Sequence, residues 1–147
     1  MLLTYRSGII PVLPSTYYDS DSGWGCMLRV AQMFVANLLH RRLKQPFEEV
    51  VKLFVDNELA PFSIQMLTCV AMRLFNKKNF EWFNPSEAGH LIKDLLDKML
   101  STHRVSIGND NCLFRSEISV DRANCIVLLM CRIGMDNPQK EYIELIA

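Results

Sequence analysis

The stretch Asp21 to Arg29, DSGWGCMLR, decides how the rest of the chain is read. Gly23 and Gly25 flank one large aromatic, Trp24, which is the composition of a tight turn. Cys26 follows at once. The next residues, MLRVAQMFVANLL, contain no Gly or Pro and few polar side chains, so a helix is predicted whose first turn holds Cys26. Unpaired backbone N–H groups point outward there, and the helix dipole favours negative charge. Both effects favour a thiolate, the nucleophilic form of cysteine. The helix is apolar nearly all round, the pattern of a helix at the centre of a domain. A free cysteine is also among the most buried and inert residue types. Turn and helix alone leave both readings of Cys26 open.

The chain has the length of a single domain, 147 residues, in which roughly 68–70% of the unfolded surface is buried. Half the residues are apolar, enough for a sizeable core. Sixteen basic residues balance sixteen acidic ones, and no basic stripe or polybasic block points to nucleic acid or to a membrane surface. The longest apolar run, Cys125 to Cys131, is far too short for a transmembrane segment. The opening MLLTYRSG is too short in apolar residues for a signal peptide. Five cysteines, at 26, 69, 112, 125 and 131, include no C-x-x-C pair. That argues against a disulfide framework or a zinc site and for a reducing compartment, so the expected location is the cytoplasm.

Taken in order, Met1 to Tyr5 has the pattern of a short strand, and Arg6 to Gly23 of a loop broken by Gly8, Pro11 and Pro14. Asp21 or Ser22 is expected to cap the turn before the helix. Positive charge at His40 to Lys44 suits the end of that helix. Pro46 is expected at the first position of a second helix with a stripe of Phe47, Val50, Val51, Phe54 and Val55. Pro61 and Ser63 open a third, carrying Ile64, Leu67, Val70, Ala71, Leu74 and Phe75. Asn84, Pro85 and Glu87 have the spacing of a capping box that starts a fourth, with Leu91, Ile92, Leu95, Leu96, Met99 and Leu100 as its buried stripe. From His103 the period changes. Strands are expected at Arg104 to Ile107, at Leu113 to Ile118 and, most strongly, at Cys125 to Ile133, a near-continuous apolar run with branched residues. The last strands are expected to leave an exposed edge and uncovered apolar surface. Asn137-Pro138 opens a short last helix.

Four segments together resemble the autophagins, the cysteine proteases that process the ubiquitin-like modifier of autophagy. GWGCMLR with Gln32 three residues on is similar to their nucleophile motif. Thr4 to Arg6 (TYR) is similar to their TYR-x-x-F segment, with Ile9 in place of the Phe. Ala60 to Ile64 (APFSI) and Glu81 to Ser86 (EWFNPS) match two further segments. The loop before Trp82 departs from the family, with Asn76 and Asn79 among residues where glycines are usual. Asn tolerates a left-handed backbone better than most residues. The resemblance implies a papain-like α+β fold: a helical lobe led by the Cys26 helix, then part of a β-sheet. It implies one protease domain over residues 1–147, truncated on its C-terminal side. Cys26 would be the nucleophile, Tyr5 an oxyanion donor, and Trp82 a cover over the cleft that grips the glycine-ended tail of the substrate. The implied substrate is the ubiquitin-like autophagy modifier, free or lipid-conjugated, and no metal or cofactor is implied.

A cysteine nucleophile needs a base and a group to orient that base. His40 lies about 21 Å along the Cys26 helix, at 1.5 Å rise per residue, too far to serve. His90 falls within the fourth helix and His103 follows its end; neither has a motif around it. The autophagins draw both groups from an Asp-Pro-His segment, and none occurs here. A fragment, an interrupted gene product and a natural short form all fit that absence. So does a non-catalytic module that binds the modifier without cutting it. A third reading is a protease of another ubiquitin-like modifier sharing the GWGC turn, such as the Ufm modifier. APFSI and EWFNPS argue against it.

Overall fold

The computed structural model describes residues 1–8, 20–78, 81–108, 112–113, 118 and 124–130. The chain divides into two compact units, Met1–Ser101 and Thr102–Ala147. The first is helical: α1 (Cys26–Asn37), a π-helical turn (Leu38–Arg42), α2 (Phe47–Lys52), α3 (Ile64–Phe75) and α4 (Pro85–Met99). The second holds β1 (Arg104–Gly108) and β2 (Cys125–Leu129), paired in parallel with Arg104 opposite Cys125 and Gly108 opposite Leu129. The class is α+β, helices first and strands after, as the change of period at His103 predicts.

In the first unit, α4 packs against both α1 and α3. The core is built from Leu28, Val35 and Leu39 of the first helix and its extension, Leu67 and Ala71 of α3, and Leu91 and Leu96 of α4, all but inaccessible to solvent. Burying each leucine fully contributes about 1.5–3 kcal/mol. Phe54 and Phe62 stack with ring centroids 5.5 Å apart and close the end of this core beside α3. The expected burial of α1 on all sides is not what forms. Val30 and Phe34 are exposed, on the side that also carries Cys26 by their spacing of four. The polar Arg29 and Gln32 are buried instead.

Helix starts follow the sequence closely. Ser63 Oγ accepts from Met66 N at 3.0 Å at the head of α3. At α4 the full capping box forms: Glu87 N donates to Asn84 Oδ1 at 2.8 Å, and Asn84 N donates to Glu87 Oε2 at 2.9 Å. Asn76 ends α3 in the left-handed conformation, φ 53°. Pro46 sits one place earlier than expected, as the N-cap of α2, because its extended ψ of 138° is not yet helical. The α-helix of Cys26 ends at Asn37, short of the basic cluster. The next turn is widened, with Leu43 N donating to Leu38 O at 3.0 Å.

Met1 to Tyr5 forms no strand; Leu3 is buried, and the segment is held by side-chain and backbone contacts near Arg6 rather than by a ladder. In β2 the burial alternates: Ile126 and Leu128 are covered, and Cys125, Val127 and Leu129 are exposed. One face is covered, and Val127 and Leu129 leave apolar surface on the other. The expected strand over 113–118, the closing helix from Asn137 and most of the loop before Gly23 fall largely or wholly outside the described residues.

Leu96 has no accessible surface. Leu96→Ala should lower stability by about 2–5 kcal/mol, read from the urea midpoint. Asn84→Ala, which removes one half of the capping box, should cost about 1 kcal/mol by the same measurement.

Candidate active site

Cys26 is the first helical residue of α1, half-buried and in the free-thiol form. The turn before it is fixed by backbone. Gly23 has φ +87°, a conformation that disfavours any side chain. Gly25 N donates to Asp21 O at 2.8 Å, which closes the turn. A Cβ on Gly25 would lie 2.8 Å from Asp21 Cβ and 2.9 Å from Asp21 O, so a larger residue would force the turn open. Trp24 is buried, and its indole N–H donates to Ser20 O at 2.9 Å.

Asp21 does not cap the helix. No side chain does; Gly25 is the N-cap. The Asp21 carboxylate is wholly buried, where it accepts from Arg29 Nε at 2.6 Å and from Arg6 N at 2.7 Å. A buried carboxylate gains more from a guanidinium than from a neutral cap. Arg29 passes the connection on: its Nη1 donates to Gln32 Oε1 at 3.0 Å, and Gln32 Nε2 donates to Phe62 O at 2.6 Å. Arg29 Nη1 also lies 3.8 Å from Asp56 Oδ1, and Arg6 Nη1 donates to Asp56 Oδ2 at 2.8 Å. One buried polar cluster therefore joins the TYR segment, the GWGC turn, α1 and the APFSI segment. Asp21, five residues before Cys26, is charge-matched by Arg29.

The fourth segment reaches Cys26 directly. Trp82 is 53% exposed, and its indole N–H donates to Cys26 Sγ at 3.2 Å. Tyr5 is half exposed, and its hydroxyl makes no hydrogen bond among the described residues. It lies next to Arg6, whose N–H and carbonyl both bond Asp21, five residues before Cys26. His40 Nδ1 lies 3.0 Å from Gln45 O, His90 is exposed on α4, and His103 belongs to the second unit with Nδ1 3.0 Å from Thr102 Oγ1. Among the described residues, no cluster of His, Cys, Asp and Glu is arranged to hold a metal ion, and no helix is long and apolar enough to cross a membrane.

A free thiol at a helix start, bonded by an indole N–H, is an arrangement that many chains could share. A profile of the peptidase C54 catalytic domain matches residues 1–147, the whole of this chain. The chain belongs to the peptidase C54 family. Among its C54 relatives, a probable cysteine protease atg4 of Schizosaccharomyces pombe is 31% identical, over 97% of this chain and 44% of the relative. The cysteine protease ATG4 of Candida albicans is 34% identical, over 85% of this chain and 31% of the relative. A probable cysteine protease ATG4 of Chaetomium globosum is 30% identical, over 97% of this chain and 41% of the relative. The chain thus spans less than half the length of each of these C54 proteins.

Asp21, Arg29 and Asp56 are the site-supporting residues that the sequence reading missed. The available signal was Arg29 with Gln32, two polar residues three apart on an otherwise apolar helix; a buried arginine there requires an anion. Arg29→Met should destabilise the protein by about 3–5 kcal/mol, since it leaves a buried carboxylate unpaired. Arg6→Met, at the exposed end of the same cluster, should cost no more than about 1 kcal/mol. Urea denaturation of both variants measures the contrast.

Proposed function

We propose that this chain carries the nucleophile half of a C54 cysteine protease that cleaves after the C-terminal glycine of a ubiquitin-like autophagy modifier. The same site would release the modifier from its phosphatidylethanolamine conjugate. The observation that carries the reading is the indole N–H of Trp82 on Cys26 Sγ, at the first residue of α1. It joins the two family segments that bear on the substrate, GWGC and EWFNPS, at one atom.

In this reading the Cys26 thiolate attacks the carbonyl carbon of the modifier's glycine. A C–S bond forms, and the carbonyl electron pair moves onto oxygen. The Cys26 backbone N–H and the Tyr5 hydroxyl donate to that oxyanion. Collapse of the intermediate breaks the C–N bond. The amine, from the next residue or from the lipid headgroup, leaves with a proton from a histidine of an Asp-Pro-His segment that this sequence does not contain. Water then hydrolyses the thioester, and the modifier departs with a free carboxylate. Trp82 covers the reacting atoms and grips the narrow glycine-ended tail. Residues 1–147 would form part of one papain-like protease domain, working in the cytoplasm on a protein substrate.

A second reading is favoured by one observation: among the described residues, the hydrogen-bond partner of Cys26 Sγ is a tryptophan and not a histidine. A chain with the grip but no base would bind the modifier and not cut it.

The two readings separate on the modifier precursor. Cleavage by a longer form with the Asp-Pro-His segment, abolished by Cys26→Ala, is expected from the protease reading. Cleavage that survives Cys26→Ala rejects Cys26 as nucleophile. Tyr5→Phe in that longer form should lower kcat by about 10²–10³ if the hydroxyl serves the oxyanion. Affinity of the 147-residue chain for the modifier, without turnover, would support the binding reading.

A further inference from the structure

Trp82 is more than half exposed, on a segment just ahead of α4, yet its indole is aimed at one sulfur atom. An exposed aromatic has many rotamers open to it, so something must hold its backbone. Lys77 does so. Its Nζ donates to the Trp82 carbonyl at 2.7 Å, pairs with Glu87 Oε2 at 3.1 Å, and lies 5.0 Å from the centroid of the Phe83 ring. Phe83 itself is buried. The Lys77 side chain is 15% exposed, unusually covered for a lysine. Its carboxylate partner is tied to the head of α4, because the same Glu87 oxygen accepts from Asn84 N in the capping box. One ammonium thus makes three contacts, two of them to consecutive residues of the segment that carries the indole.

We propose that Lys77 is a positioning residue for the nucleophile: it ties the Trp82–Phe83 segment to the start of α4 and so holds the Trp82 indole N–H on Cys26 Sγ. Lysine suits the task because its ammonium has three donors, enough to serve a carbonyl and a carboxylate at once. The catalytic consequence rests on Cys26 being the nucleophile and Trp82 its cover. The contact itself does not depend on turnover.

Nitrogen–proton correlation spectra of the 147-residue chain read this contact directly, because the protein has two tryptophans and therefore two indole N–H signals. Cys26→Ala identifies the Trp82 signal by moving it upfield as its acceptor is lost. Lys77→Met should move that same signal in the same direction, while the Trp24 signal, bonded to Ser20 O, stays in place. Lys77→Arg should restore it in large part. Alkylation of Cys26 by iodoacetamide should be severalfold faster in Lys77→Met, as the cover loosens. Glu87→Gln keeps the cap acceptor but removes the partner charge, and it should give an intermediate shift; it serves if Lys77→Met does not fold. A merely stabilising lysine would lower the melting temperature and leave the Trp82 signal where it is. That outcome in a folded Lys77→Met or Glu87→Gln chain overturns the proposal. A lost contact leaves the protease reading standing, and failure to cleave the modifier leaves the contact standing.

Discussion

The buried pair of Asp21 and Arg29 is the interaction on which the first unit depends. Both side chains are almost wholly removed from water, and each holds more than the other. Asp21 fixes the N-terminal segment through the Arg6 N–H and shapes the turn through its own carbonyl. Arg29 orients Gln32, and Gln32 takes the Phe62 carbonyl at the mouth of α3. Two buried charges seldom add net stability over apolar residues of the same size, but removal of one partner is severe. The pair is best understood as a specification. Its hydrogen bonds tie together three segments that are far apart in sequence, around the turn that leads into Cys26.

The recognisable segments of this chain meet in the same network. TYR, GWGC with its downstream Gln, and APFSI are not separate devices. Their residues are the donors and acceptors of one network, and EWFNPS ends on the sulfur that the network positions. Loss of Asp21, Arg29 or Gln32, its buried members, leaves a polar group buried without a partner, which costs more than the bond contributed.

Much of the helical unit was legible. The caps of α3 and α4, the left-handed Asn76 and the helical position of Cys26 all follow from local chemistry, because each depends on residues within a few places in the chain. The class, helices before strands, follows from the change of period. What was not legible depends on partners distant in sequence. Asp21 has the composition of a cap, and only the fold reveals that Arg29 and Arg6 claim it first. Apolar α1 reads as buried on every side, whereas Val30 and Phe34 face outward. Apolar composition alone does not say how many faces of a helix are covered. Of the candidate site, Trp82 and Cys26 meet through one hydrogen bond, and Tyr5 is placed only through its neighbour.

Glu87 is shared between two tasks, closing the first turn of α4 and holding Lys77 near Trp82. Helix ends are the first parts of a helix to loosen on warming. When the first turn of α4 frays, the carboxylate leaves both partners together, and the indole loses its anchor while the core around Leu91 and Leu96 is still intact. The thermal range of an ordered site is therefore narrower than the thermal range of the fold. It is set by the few residues from Asn84 to Glu87 rather than by the apolar interior.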